Sequence, residues 1–171
     1  DKVIPCNGQC DIIKSADELP IAAWDLLPME KYRAHNWHCF KNLDQRHPYA
    51  VIYTSLGCPF NCDFCPVHSF YGKRGVRFSN PEKIIEEIDL LVKKYNVKNL
   101  KIMDELFVFK KDKVKKLCDL LIKKNYGLNI WCYGRVDTVD FPLLKKMKKA
   151  GITWISYGFE SMDENVRTGV S

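Results

Sequence analysis

The segment 57-GCPFNCDFCP-66 places three cysteines, Cys58, Cys62 and Cys65, at C-x3-C-x2-C spacing. Three thiolates so close in sequence can converge on one soft metal centre, which zinc or iron-sulfur chemistry would suit. A site of this kind normally has four ligands, so three thiols leave one coordination position open. The segment therefore predicts a metal centre that can accept a ligand other than a protein side chain.

Composition and charge limit the class of protein. At 171 residues, the chain is long enough for one domain with a sizeable core. Lys and Arg outnumber Asp and Glu by 27 to 21, and paired lysines recur on expected helix surfaces. These lysines are interpreted first as a solvated face, with RNA binding as the alternative.

Cysteine content and hydropathy indicate the compartment. Eight cysteines in a chain of this size favour a reducing environment and a metal site over a disulfide framework. No stretch approaches the roughly 20 apolar residues of a membrane span, and Asp1-Lys2 opens no signal-peptide pattern. A cytoplasmic protein with no membrane partner is expected.

Strand and helix patterns alternate after residue 48. An apolar run over 49–54 predicts a first strand buried on both faces, and further strands are expected at 97–103, 128–133 and 152–157. Apolar stripes predict helices at about 81–95, with Asn80 as N-cap, at about 114–122, and after the N-cap Asp140. Alternation of this kind indicates an α/β fold with parallel strands joined by crossover helices.

Polar residues follow each predicted strand. The cysteine loop follows the first strand, and the later strands end at Asp104-Glu105, Arg135 and Glu160-Ser161. Ligands of parallel α/β folds bind at the C-terminal ends of the strands. The four groups are therefore expected to face one shared opening.

Together these residues resemble the radical S-adenosylmethionine (SAM) superfamily, which is marked by this cysteine spacing with an aromatic residue before the last cysteine, here Phe64. The resemblance implies the first four βα units of a partial (βα)6 TIM-like barrel. Residues 48–171 would form the N-terminal two-thirds of the core domain, and residues 1–47 an irregular linker with short helical turns.

The resemblance also implies cofactors and their ligands. Cys58, Cys62 and Cys65 would hold a 4Fe-4S cluster, and the amine and carboxylate of SAM would chelate its fourth iron. Reductive cleavage of SAM would yield a 5′-deoxyadenosyl radical that abstracts hydrogen from the substrate. The remaining expected SAM contacts are Phe64 near adenine, Asp104 or Glu105 at the methionine ammonium, and Arg135, Glu160 and Ser161 at ribose and carboxylate.

Substrate and partners are expected only by class. Leu19-Pro20, residues 24–29 and Tyr32 resemble the linker that precedes the barrel in radical enzymes with an N-terminal cobalamin-binding domain. The sequence contains no Asp-x-His-x-x-Gly cobalamin-ligand motif, so cobalamin is expected only in a longer parent protein. The expected reaction is methylation or a related tailoring of a small molecule, with an external one-electron donor such as ferredoxin or flavodoxin.

Alternatives remain at this stage. His68 follows the triad at a spacing that allows a fourth zinc ligand, so a non-catalytic zinc or iron-sulfur module is the rival interpretation. Cys6 and Cys10 form a second C-x3-C pair without obvious partners. A sheet of four strands would also leave an open edge, through which the chain is expected to self-associate.

Overall fold

The protein is described by a computed structural model that covers residues 11–40 and 43–168. Four parallel strands form its main sheet in the order β1-β4-β5-β6. Helices α2, α3 and α4 connect them, which confirms the predicted α/β architecture of four βα units. The elements are β1 (Tyr49–Ile52), β2 (Ser55–Leu56), α1 (Val67–Tyr71), β3 (Arg77–Phe78), α2 (Pro81–Tyr95), β4 (Asn99–Ile102), α3 (Lys111–Lys124), β5 (Asn129–Gly134), α4 (Phe141–Lys149), β6 (Ile152–Tyr157) and α5 (Glu164–Thr168).

The crossover helices form where their apolar stripes predicted them. Helix α2 begins at Pro81, whose fixed φ suits the first turn, and ends before Asn96 in the left-handed conformation. Asp140 caps α4 as predicted, because its carboxylate accepts a hydrogen bond from the Leu143 N–H at 2.9 Å. Asn80 does occupy the N-cap of α2, but its side chain makes no cap bond and donates instead to Asp17 at 2.7 Å.

The hydrophobic core lies between one face of the sheet and these helices. Alternate residues on β4 and β5, such as Leu100, Ile102 and Ile130, are buried there against the apolar stripes. Cys118, predicted as a core residue of α3, is fully buried. The other face of the sheet is only partly covered, and residues such as Val51 and Trp131 are half-buried there.

The prediction for β1 was wrong in one respect. The run over 49–54 suggested a strand buried on both faces, but only Ala50 and Ile52 are fully buried, whereas Tyr49 and Val51 are half-buried. The reason is that Tyr49 and Val51 lie on the second face of the sheet, which is only partly covered. The strand also stops at Ile52, because the Thr54 N–H bonds to a side chain of the next strand end.

A small antiparallel sheet brackets the cysteine loop and was not predicted. Strands β2 and β3 pair Ser55 with Phe78 and Leu56 with Arg77. Gly57 follows β2 with φ of +89°, and a Cβ there would lie 2.5 Å from a backbone carbonyl oxygen of Gly75. The loop therefore begins at a position where only glycine fits.

The described part of the segment before β1 contains only short 3-10 turns, as its predicted irregular structure implies. Trp24 anchors it to α2 by donating from Nε1 to Glu87 at 2.9 Å. Cys6 and Cys10 lie outside the described residues. Within the described ranges, no helix combines the length and apolar character needed to cross a bilayer.

Candidate functional site

A cavity of about 640 Å³ lies at the C-terminal ends of the four parallel strands. It brings together residues from every predicted strand end, so the predicted shared opening exists. Ser161 and Cys58 are not on its wall. The predicted residues that line it are Cys62, Phe64, Cys65, Asp104, Glu105, Arg135 and Glu160.

The cysteine loop is held in shape by its own backbone. The Cys65 N–H donates to the Cys62 carbonyl at 3.0 Å, and the Gly75 N–H donates to the Cys58 carbonyl at 3.1 Å. Arg74 donates from outside the loop to the Pro59 carbonyl at 3.1 Å. These bonds fix the backbone of the loop that carries the three thiols.

The three thiols are free and lie near one another. Cys58 and Cys62 are half-buried, and Cys65 is exposed. Burial raises the pKa of Cys58, the backbone hydrogen bond at Phe60 opposes that shift, and the nearby Cys62 and Cys65 add to it. Three neighbouring thiols on one loop match the donor set of an iron-sulfur cluster, so the residues present fit that group.

The geometry does not favour the alternative zinc site with His68. His68 Nε2 lies 2.7 Å from the Phe60 carbonyl oxygen, so this ring nitrogen is already engaged within the loop. Across residues 11–40 and 43–168, no three His, Cys, Asp or Glu side chains gather closely enough to hold a single ion. A cluster of several irons spaces its thiolates more widely than one ion does.

Asp104 is buried, and both of its carboxylate oxygens accept hydrogen bonds. It is only 1% exposed, and it accepts hydrogen bonds from the Thr54 N–H at 2.6 Å, the Thr54 hydroxyl and the Ser55 hydroxyl at 2.7 Å. Burial raises the pKa of Asp104, and these bonds oppose the shift. Both oxygens of Asp104 therefore fasten the end of β4 to the end of β1, which leaves Glu105 the freer of the two carboxylates predicted for the ammonium group.

Glu105, in contrast to Asp104, is exposed to solvent. Its side chain is exposed on the cavity wall, and Tyr71 donates a hydrogen bond to Oε1 at 3.3 Å. Burial and the adjacent Glu105 charge raise the pKa of Tyr71 to about 12. Tyr71 was not found from the sequence, because nothing in the spacing of α1 signals a contact with a residue 34 positions away.

Arg135 lies between the cysteine loop and β5. Its guanidinium carbon is 3.9 Å from the centre of the Phe60 ring. Its Nη2 and Nε donate to the Asp137 carboxylate at 2.9 and 3.0 Å, and these bonds raise the pKa of Arg135. The residue therefore places a guanidinium, ion-paired with Asp137, beside the thiols.

The end of β6 contributes the last predicted group. Glu160 lines the cavity in a left-handed conformation with φ of 59°. Ser161 turns away, because its hydroxyl accepts from the Asp163 N–H at 3.1 Å and its carbonyl from Arg167. Phe64 also lines the cavity, and its side chain is 53% exposed.

Comparison with known proteins identifies the family. The model of the radical SAM superfamily matches residues 52–170. An uncharacterized methyltransferase of Pyrococcus horikoshii is 35% identical over 158 residues, covering 91% of this chain and 31% of that protein. An anaerobic magnesium-protoporphyrin IX monomethyl ester cyclase of Rubrivivax gelatinosus is 31% identical over 140 residues, covering 81% of this chain and 23% of that protein.

A solved structure shares the fold. The radical SAM methyltransferase TsrM of Kitasatospora setae, with cobalamin and a [4Fe-4S] cluster bound, superposes with a TM-score of 0.66 at 17% identity. The superposition covers 75% of this chain and 25% of TsrM. The present chain spans less than a third of the length of each of these relatives. The family match over residues 52–170 shows that it belongs to the radical SAM superfamily.

Proposed function

We propose that this member of the radical SAM superfamily is the part of an enzyme that binds a 4Fe-4S cluster and SAM. The observation that carries the proposal is the placement of Cys62 and Cys65 in one cavity with Glu105, Arg135 and Glu160. These groups come from four separate strand ends, so their convergence depends on the whole sheet. Residues 48–171 are proposed as the N-terminal two-thirds of the core, preceded by a linker over residues 1–47.

Cys58, Cys62 and Cys65 are proposed as the cluster ligands. When bound, the cluster and SAM supply one-electron reductive cleavage of a carbon-sulfur bond, with hydrogen abstraction from the substrate. Pro59, together with the Arg74 bond to its carbonyl, restricts the loop and so reduces the ordering required when the thiolates bind.

Glu105 is proposed to bind the ammonium group of SAM, because it is the exposed carboxylate at the end of β4. Asp104 is proposed as a positioning residue that holds this strand end against β1. Tyr71 orients the Glu105 carboxylate by a hydrogen bond to one oxygen. A charge-assisted hydrogen bond between Glu105 and the ammonium group would contribute about 1.5 to 3 kcal/mol to SAM binding.

The other cavity residues suit the remaining parts of SAM. Arg135 is proposed to bind the carboxylate of the methionine moiety through Nη1, because Nε and Nη2 already donate to Asp137. Phe64 offers a ring surface to adenine, and Glu160 offers an acceptor to the ribose hydroxyls. Ser161 is left out of this assignment, because its hydroxyl bonds to the Asp163 N–H and it is absent from the cavity wall.

Methylation, or a related tailoring of a small molecule, is the reaction class we propose. Support comes from the methyltransferase and the cyclase among its relatives. An external one-electron donor such as ferredoxin or flavodoxin would reduce the cluster. Cobalamin, present in the TsrM structure, is proposed only for a longer parent protein.

The proposal is tested by anaerobic reconstitution with iron and sulfide, followed by reductant and SAM. We expect about four irons per chain and release of 5′-deoxyadenosine, with both lost in Cys62→Ser and Cys65→Ser. Cys118→Ala is the matched control, because Cys118 lies in the core and not in the loop. Zinc-loaded protein that releases no 5′-deoxyadenosine would overturn the proposal.

A further inference from the structure

A polar cluster joins three strands at the N-terminal end of the sheet, away from the candidate site. Asn99 is the first residue of β4, and Asn129 is the first residue of β5. The Asn129 Nδ2 donates to the Asn99 Oδ1 at 3.1 Å, and the Thr153 hydroxyl of β6 donates to the Asn129 Oδ1 at 2.7 Å. The proposed function makes no use of this cluster.

The linker turn, the 3-10 turn Asn36–Cys39, is bonded to the cluster. The His38 Nε2 lies 2.9 Å from the Asn129 carbonyl oxygen, and the Asn129 Nδ2 donates to the His38 carbonyl at 2.8 Å. The Cys39 Sγ donates to the Asn99 Oδ1 at 3.1 Å. Because a carbonyl only accepts, Nε2 carries the proton of the neutral His38 ring. Side chains of two neighbouring residues therefore hold the turn to β4 and β5.

The second ring nitrogen of His38 has no partner. Its Nδ1 is buried and makes no hydrogen bond within the described residues, and the whole residue is only 1% exposed. The rings of Trp131 and Tyr49 pack edge-on to the imidazole, with centres 5.7 and 6.1 Å away. Protonation would turn Nδ1 into a buried donor without an acceptor, which is costly. The site therefore suits the neutral ring and not the imidazolium.

The groups around His38 supply no negative charge. Burial lowers the pKa of His38 most, the backbone hydrogen bond opposes that shift, and the positive charge of Lys101 on β4 lowers it further. Burial raises the pKa of Tyr49 on β1 to about 12 and also raises the pKa of Cys39 in the same turn, so both remain neutral. The charged group next to Cys39 is Arg46, which is also positive. An imidazolium would thus have no counter-charge here.

The linker turn is exposed outside these contacts. Trp37 is 63% exposed and Phe40 is 68% exposed. A segment held by so few contacts can open at a lower free energy than the core. Both rings line an apolar recess of about 330 Å³ with Trp131 and Trp154, and Ser156 lines both this recess and the larger cavity of the candidate site. Opening of the turn would therefore remove one wall of a recess that adjoins the candidate site.

We propose that His38 is an acid-sensitive latch: protonation of its ring releases the linker turn from β4 and β5 and opens the recess, while the sheet stays folded. In the released turn, water accepts the second N–H of the imidazolium. Closure is complete above the ordinary histidine pKa of about 6.5. It is lost as the pH falls from there towards the lowered pKa of His38 in the closed turn. Release binds one proton, so the released population should rise by up to about tenfold per pH unit.

The test is nuclear magnetic resonance of cluster-free protein with ¹⁵N-labelled backbone and histidine, between pH 7.5 and 5. The His38 ring nitrogens and the backbone amides of the linker turn should change together, with a midpoint below the ordinary histidine pKa. Protection of the turn amides against hydrogen exchange, corrected for the intrinsic rate, should fall by up to about tenfold per pH unit. Protection of the Ile130 amide, which bonds to the Gly151 carbonyl at 2.8 Å, should not change.

Matched variants identify the titrating group. His38→Gln keeps a side-chain N–H for the Asn129 carbonyl but cannot titrate, so its turn amides should show no transition in this range. His47 also bonds to a backbone carbonyl, that of Tyr32 at 3.0 Å, but it is exposed, so His47→Gln should retain the transition. Lys101→Met removes the opposing charge and should move the midpoint to higher pH.

Three results would overturn the proposal. The first is titration of the His38 ring without a change in the turn amides, and the second is a transition that persists in His38→Gln. The third is loss of Ile130 protection together with that of the turn, which would show acid unfolding of the whole sheet. The inference goes beyond the proposed function and is measured without the cluster or SAM, so failure of either leaves the other standing.

Discussion

Replacing Asp104 should destabilise the fold, whereas replacing the adjacent Glu105 should weaken SAM binding and leave stability nearly unchanged. The two carboxylates are neighbours in sequence at the end of β4. Asp104 is buried with both oxygens bonded to Thr54 and Ser55, but Glu105 is exposed on the cavity wall. The structure therefore assigns opposite consequences to similar substitutions.

The expected loss follows from the bonds that Asp104 accepts. Asp104→Ala removes a buried acceptor and leaves the Thr54 N–H and two hydroxyls without their partner, which should cost about 3 to 5 kcal/mol. At about 2 to 4 °C per kcal/mol for a chain of this size, the melting temperature should fall by about 10 °C. Asp104→Asn keeps the shape and one acceptor, so its cost should be about 1 to 2 kcal/mol.

Glu105→Gln provides the matched comparison. Its stability should change by less than about 0.5 kcal/mol, as for other exposed positions. Loss of one charge-assisted contact should raise the Kd for SAM about tenfold or more. Thermal unfolding of cluster-free protein, followed by circular dichroism, measures the first quantity, and calorimetric titration of reconstituted protein with SAM measures the second.

The reasoning would be refuted by the reverse pattern. If Asp104→Asn has the same melting temperature as the unchanged protein but a lower affinity for SAM, the buried carboxylate contacts the cofactor after all. If Glu105→Gln unfolds early and binds SAM normally, its bond to Tyr71 is structural and the ammonium ligand lies elsewhere.

Two further predictions concern the stability of the fold. Gly57→Ala should lower the free energy of unfolding, measured by denaturant titration, by about 2 to 4 kcal/mol, because Gly57 combines a positive φ with a close carbonyl oxygen. Gly127 has a positive φ but open space around it, so Gly127→Ala should cost only about 1 kcal/mol. Equal losses in the two variants would contradict this reasoning. The hydrogen bonds from Lys124 and Tyr126 lower the pKa of Asp89 to about 2, so its contribution of about 1 kcal/mol should be present above pH 4 and be lost as pH falls towards 2. Asp89→Asn should remove that pH dependence, and an unchanged acid transition would count against it.

Local signals explain why much of the fold was predictable. Helix α2 carries a continuous apolar stripe, a proline at its first position and an asparagine at its end, so its bounds agree with prediction. Strands β4 to β6 lie between such helices, and the alternation alone implied their parallel arrangement. The cysteine spacing carried the family resemblance.

Long-range contacts explain what the sequence did not reveal. The hydrogen bonds that Asp104 accepts come from residues 49 and 50 positions away. The sequence alone therefore could not show that Glu105 is the better placed of the two carboxylates to bind the ammonium group. The half-open face of β1 depends on strand order rather than on composition.

The most direct test of the central claim is electron paramagnetic resonance of the reduced, reconstituted protein with and without SAM. If Cys58, Cys62 and Cys65 hold a cluster with one open iron, a reduced [4Fe-4S] signal should appear, and SAM should change it by binding at that iron. Cys62→Ser should abolish the signal. A signal that SAM does not alter, or protein that takes up zinc and shows no cluster signal, would contradict the account.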